Sequence, residues 1–176
     1  MFLASQSMLR FMSPIRLEGV LADRSAWQAT DCSIDKAMAV VGTRSAMLLL
    51  REAYYGTTRF DNFAERVGIT EAVASTRLRE LTAAGLLEKR PYREPGQRTR
   101  HEYVLTQMGI DLLPAVLALM QWGDKYLQGD RGAPLTVVED STGTPVSVEV
   151  RGSEGPVTDL RKLRIRTDRT RRSRDR

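Results

Sequence analysis

The residues best suited to do chemistry lie in the middle of the chain, at positions 70–79. Hydroxyl side chains and arginines alternate there with Ala74 and Leu78, which share one face if the segment is helical. Hydroxyl and guanidinium groups can hydrogen-bond to phosphate oxygens and to the edges of nucleic-acid bases. The candidate nucleic-acid contacts on and next to the outer face are Thr70, Glu71, Ser75, Thr76, Arg77 and Arg79.

A second basic cluster follows these residues directly. Residues 77–101 contain seven Lys or Arg and three Glu, a local charge of +4, whereas residues 1–160 together carry −2. A Pro-Gly pair at 95–96 predicts a turn between two short strands, with Arg93, Arg98 and Arg100 in or beside it. A locally positive hairpin on a nearly neutral body indicates a surface that binds a polyanion.

Helices are needed to hold these groups in place. Apolar residues spaced i, i+3, i+4, i+7 predict one helix that begins near Ile34 and is capped by Asp31 or Ser33, and another that begins at Phe60. Further helices are predicted over 45–55, from Thr70 as N-cap to about residue 84, and over 107–127, where proline 114 should kink or split the helix. The predicted fold class is therefore α+β, mainly α.

The third helix, a short Gly-Ile-Thr turn and the fourth helix together have the form of a helix-turn-helix. In such a unit the second helix enters the major groove, and a following hairpin, the wing, reaches the minor groove or the backbone. The same spacing also fits two packed helices with an ordinary solvated face. The arginines of the hairpin favour DNA binding over that alternative.

These segments, taken in order, resemble the HxlR family of bacterial winged-helix regulators. The resemblance covers residues 32–127 and is carried by CSIDKAMAVVG, LLLREAYYGTTRFDNFAERVGIT, RLRELTAAGLLEKRPY, RHEYVLT and LLPAVLALMQWGDKYL. One departure is the triplet at residues 44–46, Arg-Ser-Ala, where the family usually has one like Lys-Trp-Thr.

The resemblance implies a homodimer, joined through its terminal helices, that binds double-stranded DNA at a roughly palindromic operator. It implies that Thr76, Arg77 and Arg79 lie on the DNA-facing helix and that Arg98 and Arg100 lie in the wing. The last helix also has an apolar surface wider than one packing face requires, which favours a dimerisation role. The predicted interface residues on this C-terminal dimerisation helix are Leu113, Leu117, Met120 and Trp122.

Cys32 is the only cysteine, so no internal disulfide can form, and a reducing, cytoplasmic location is expected. Some regulators of the HxlR type sense oxidants through a cysteine near this position, which makes Cys32 a candidate redox sensor. The dipole of the following helix would favour its thiolate, and the neighbouring Asp31 and Asp35 would oppose it. A partly buried packing residue is the alternative role.

The remaining sequence excludes several classes of function. His101 is the only histidine, and no nucleophile–base set, metal-ligand cluster or phosphate-binding glycine loop accompanies it, so neither an enzyme nor a cofactor or metal site is expected. The longest apolar run has nine residues including a proline, too short to cross a bilayer, so no membrane association is predicted. A winged helix that binds another protein instead of DNA remains the alternative function, and no small-molecule effector is specified.

The expected organisation has four parts. Residues 1–30 form an N-terminal arm, 31–128 the winged-helix DNA-binding domain, 129–160 a small β-hairpin extension, and 161–176 a basic disordered tail that carries +7.

Overall fold

The computed structural model describes residues 15–25 and 31–167. The described residues divide into two compact units, Asp31–Val148 and a second unit that contains residues 15–25 and 149–167. In chain order the regular elements are β1 (Ile15–Leu17), α1 (Ser33–Val41), α2 (Arg44–Tyr54), α3 (Phe60–Val67), α4 (Glu71–Ala83), β2 (Leu87–Tyr92), β3 (Arg100–Leu105), α5 (Gln107–Asp111), α6 (Leu113–Leu127), β4 (Arg151–Gly152), β5 (Gly155–Pro156) and β6 (Leu163–Ile165). The predicted α+β, mainly helical fold is confirmed.

The core of the larger unit is formed by the inner faces of α2, α3 and α4 and by the start of the β2–β3 hairpin. Its largest fully buried side chains are Leu49, Leu50, Phe63, Leu78, Leu81 and Leu87. The ring of Phe63 meets that of Tyr103 edge to face, with centroids 6.3 Å apart. This contact packs β3 against α3.

The predicted effect of proline 114 is confirmed, because the C-terminal helical segment is split into α5 and α6. Proline occupies the first turn of α6, where its missing N–H costs no helix hydrogen bond. The start of α5 lies so close to the hairpin that a Cβ at Gly109 would overlap the carbonyl oxygen of Leu86. The hydroxyl of Tyr54 donates a hydrogen bond of 2.7 Å to the Gly109 carbonyl, and burial raises the Tyr54 pKa above its usual value.

After α6 the chain folds back along that helix. It turns at residues 139–144, where the sequence predicts a hairpin, and the Gly143 N–H donates to the Glu139 carbonyl at 2.8 Å. The Gln121 side chain of α6 accepts a hydrogen bond from the Val148 N–H at 3.1 Å. The compact unit therefore continues past the predicted boundary at residue 128, because residues 133–148 pack on α6.

The smaller unit corrects the expected arm and tail. Strand β1 pairs in parallel with β6, with Ile15 opposite Leu163, and Glu18 forms an ion pair of 3.0 Å with Arg164. The expectation of a loose arm is wrong for residues 15–25, and that of a disordered tail is wrong for 161–167, since each supplies backbone hydrogen bonds to the other. Residues 1–14, 26–30 and 168–176 lie outside the described residues.

The beginning of α1 also differs from the prediction. Cys32, not Asp31 or Ser33, occupies the N-cap position, and its side chain makes no capping hydrogen bond. Asp31 instead pairs with Lys36 in the first turn. The predicted apolar stripe exists, but only Val41 is buried, at the end of the helix.

Candidate nucleic-acid interface

The turn between α3 and α4 fixes the relative orientation of the two helices. Gly68 adopts a left-handed conformation, with φ of 68°, and donates its N–H to the carbonyl oxygens of Ala64 and Glu65. Two residues later Thr70 is the N-cap of α4, and its side chain accepts a hydrogen bond from the Val73 N–H at 3.4 Å. A sharp helix end and an immediate new cap give the three-residue turn of a helix-turn-helix.

Helix α4 presents its candidate contacts to solvent. Ala74, Leu78 and Leu81 are buried, as the sequence predicts. Thr70, Glu71, Ser75 and Arg79 are exposed, whereas Thr76 and Arg77 are half-buried. After the exposed Glu71, the exposed residues of the next turn, Ala72, Val73 and Ser75, have small side chains.

Arg77 and Arg79 differ in their surroundings. The Arg77 guanidinium donates a hydrogen bond of 2.5 Å to the Glu80 carboxylate, an i, i+3 pair along the surface of α4. Within the described part of the chain Arg79 makes no ion pair. An exposed pair of this type contributes only a few tenths of a kcal/mol, about 0.2–0.5, so a nucleic-acid acceptor can replace Glu80 at small cost.

The hairpin of β2 and β3 carries the second group of arginines. Its strands are in register from Leu87 opposite Leu105 to Tyr92 opposite Arg100, and residues 93–99 form the connecting loop. Within the loop the Arg93 side chain donates a hydrogen bond of 3.0 Å to the Gln97 carbonyl, which holds the loop closed. Arg98 and Arg100 are exposed, so this hairpin has the charge and the shape of a wing.

One functional candidate was missed at the sequence level. Arg59 precedes α3 directly, and its guanidinium carbon lies 3.1 Å above the centre of the Tyr92 ring. A hydrogen bond of 2.8 Å from the Tyr103 N–H to the Thr58 carbonyl brings this segment beside the wing. No pattern local to residues 58–60 indicates that pairing, because Tyr103 lies far away along the chain.

The predicted dimer residues fall into two groups. Leu117 and Met120 are half-buried and line a cavity of about 230 Å³ against residues 133–148, and Leu113 is also half-buried. Trp122 lies on a different face, more than half exposed, with its ring centroid 5.8 Å from that of Tyr126. The segment 133–148 borders Leu117 and Met120 across this cavity, and the assignment of Leu113, Leu117, Met120 and Trp122 to a dimer interface stays a prediction.

Cys32 is partly buried and its thiol is free, at the start of α1. Among residues 15–25 and 31–167, no group of three or more His, Cys, Asp or Glu side chains is arranged to hold a metal ion. In the same part of the chain no helix is long and apolar enough to span a bilayer.

A helix-turn-helix with an outward second helix, followed by an arginine-bearing hairpin, defines a winged helix-turn-helix DNA-binding protein. The family model described as HxlR-like helix-turn-helix matches residues 40–131, more than half of the chain. The protein therefore belongs to the HxlR-like family, as the sequence resemblance indicated. It is a transcriptional regulator and not an enzyme.

Relatives of known sequence support the same class. An uncharacterized HTH-type transcriptional regulator of Mycobacterium tuberculosis (strain H37Rv) is 41% identical over 111 residues, which are 63% of this chain and 69% of the relative. A regulator described in the same terms from Methanothermobacter thermautotrophicus is 33% identical over 96 residues, 54% of this chain and 72% of the relative.

Two solved structures are also similar. PA1607, described as a candidate transcription factor, has a TM-score of 0.68 at 30% identity and covers 80% of this chain and 96% of its own. PA1374 of Pseudomonas aeruginosa, described likewise, has a TM-score of 0.55 at 29% identity and covers 78% and 93%. The part of the chain that matches PA1607 is 80% of its length and is therefore longer than residues 40–131. The likeness to PA1607 thus includes residues outside the region that the family model matches.

Proposed function

We propose that this protein acts in the cytoplasm as a homodimer that binds a roughly palindromic operator and regulates transcription without a cofactor. In each protomer α4 lies in the major groove, where Thr76, Arg77 and Arg79 meet base edges or nearby phosphates. The wing arginines bind the backbone beside it. Residues 31–128 supply these contacts.

The observation that carries the dimer is a pair of apolar helix faces left open to solvent. On α6, Leu119, Trp122 and Tyr126 follow one another at spacings of three and four residues and are 57%, 55% and 60% exposed. On α1, Ile34 and Met38 are 73% and 53% exposed. Faces of this kind are uncommon on monomers and are typical of surfaces that a partner covers.

A second copy of the chain is the partner that accounts for both faces. A twofold interface is formed by the same patch on each protomer, so two apolar patches on the N-terminal and C-terminal helices can meet their symmetry mates. The dimer axis then relates two α4 helices, and two half-sites about one helical turn apart, or a multiple of it, would be bound in opposite orientations.

Sedimentation velocity tests the dimer directly. We expect the wild-type protein to be dimeric at micromolar concentration and Trp122→Glu to be monomeric, because a carboxylate would be buried in the interface. Val138→Glu is the matched control, since Val138 is an exposed valine on the segment after α6 and its replacement should leave the dimer intact. A monomeric wild type would contradict the proposal, as would a Trp122→Glu dimer.

Mapping of the chromosomal sites bound by the tagged protein supplies the operator. Competition between a recovered site and random DNA then tests sequence-specific binding. Equal binding of both duplexes would contradict a specific regulator and would favour a winged helix that recognises protein.

A further inference from the structure

A solvent-open cleft of about 410 Å³ lies between the start of α3 and the outer end of the wing. Its lining residues are Arg59, Phe60, Asp61, Tyr92, Arg100 and His101. Within this set, Arg59, Phe60, Asp61, Tyr92 and His101 are absent from the DNA contacts proposed above. The cleft is formed by two elements: α3, which precedes α4 in the chain, and the β2–β3 hairpin, which follows it.

Arg59 is held in place in this cleft, but its hydrogen-bonding capacity is largely unused. Its guanidinium carbon lies 3.1 Å from the centre of the Tyr92 ring, a cation–π contact that holds the group beside the wing. The Nη1 atom is buried and has no hydrogen-bond partner among the described residues. The Nη2 atom lies 3.8 Å from Glu94 Oε1, which is an ion pair but too long for a hydrogen bond.

A phosphate oxygen is the acceptor that fits such a group. The Arg59 side chain is 35% exposed, so its accessible N–H groups, which do not include the buried Nη1, can donate to a phosphate oxygen. Arg100 lies directly opposite Tyr92 in the hairpin register, so its side chain leaves the same face as the ring on which Arg59 rests. The two arginines therefore border the cleft from the α3 side and from the wing side.

The charge of the cleft decides between two sources of phosphate. Asp61 lines the cleft and Glu94 pairs with Arg59, so two carboxylates offset the two arginines. A nearly neutral cleft attracts free anions only weakly. A phosphodiester of a duplex that α4 and the wing already hold needs no such attraction. In a helix-turn-helix the first helix, here α3, crosses the DNA backbone. We therefore propose that the cleft binds a backbone phosphate of the operator, with Arg59 as the main donor. This inference rests on the proposed DNA binding.

The test is the salt dependence of duplex binding, measured by fluorescence anisotropy on operator and random DNA. Arg59→Gln should weaken both duplexes by a similar factor and reduce the slope of log K against log salt by about 0.9, the value for one lost phosphate contact. Arg66→Gln, an exposed arginine in the last turn of α3, is the matched control and should leave the slope unchanged. A wild-type slope for Arg59→Gln would overturn the phosphate contact.

Further variants separate this contact from a purely structural role of Arg59. Tyr92→Leu removes the ring under Arg59 and keeps both charges, so the slope should stay near the wild-type value. If Arg59 only supports the wing, Arg59→Gln and Tyr92→Leu would lower the melting temperature alike and neither would change the slope. If wild-type protein binds no duplex at all, the proposed function fails together with this inference, whereas a wild-type slope in Arg59→Gln overturns the inference alone.

A gain of affinity provides the complementary test. Glu94→Gln removes the carboxylate that competes for Arg59 and should strengthen binding to both duplexes more than Glu65→Gln, which removes an exposed carboxylate from α3. Equal effects would contradict a phosphate at Arg59. Inorganic phosphate should displace the duplex no better than chloride at the same ionic strength, and stronger displacement would assign the cleft to a free anion instead.

Discussion

Replacing Arg77 by alanine should lower affinity for the operator about 5- to 150-fold and affinity for random DNA much less. The range corresponds to about 1–3 kcal/mol for a bidentate contact between an arginine and a base, at roughly 1.4 kcal/mol for each tenfold change. The side chain lies on the outer surface of α4 and reaches Glu80 in the free protein. Binding would therefore exchange one acceptor for another.

The structure limits what else the substitution can change. Loss of the Arg77–Glu80 pair removes at most about 0.5 kcal/mol from the free energy of unfolding. Alanine has the highest helix propensity, which offsets part of that loss. The neighbouring core residue Leu78 is fully buried and is not altered. A large effect on DNA binding with a nearly unchanged melting temperature is thus the expected signature.

Anisotropy titrations of operator and random duplexes measure the effect. Arg77→Lys should retain the charge but lose the bidentate geometry, and so recover affinity for random DNA more than for the operator. Glu80→Gln should strengthen operator binding slightly, because it frees Arg77. If Arg77→Ala leaves the ratio of operator affinity to random-DNA affinity unchanged, a base contact by Arg77 is refuted. If both affinities also fall by the same factor, Arg77 contacts the backbone instead.

Two other predictions concern the wing and the thiol. Arg98→Ala combined with Arg100→Ala should lower affinity for all duplexes alike and flatten the salt dependence by up to about one unit for each lost phosphate contact; a retained slope would mean that the wing does not touch the backbone. Diamide should abolish operator binding by wild-type protein but not by Cys32→Ser. Because the chain has one cysteine, the oxidised wild-type protein should run as a disulfide-linked dimer on a non-reducing gel. Identical responses of the two proteins would leave Cys32 as a packing residue.

The helices and the hairpin could be predicted from sequence because their signals are local. The stripe of Ala74, Leu78 and Leu81, the left-handed turn at Gly68 and the cap at Thr70 each depend on residues within one or two helical turns. Proline 114 split the last helix for an equally local reason. Where the signal was weak, as at the beginning of α1, the predicted cap was wrong.

Contacts between distant segments were decided only by the tertiary structure. The cavity that Leu117 and Met120 share with residues 133–148, the pairing of β1 with β6 and the contact of Arg59 with Tyr92 join segments that carry no matching pattern. An apolar stripe shows that one helix face must be buried, but it does not show which partner buries it. Sequence thus determined the helix-turn-helix and its charged outer face. Packing decided which side chains of α6 stay exposed, and it placed Arg59 beside the wing.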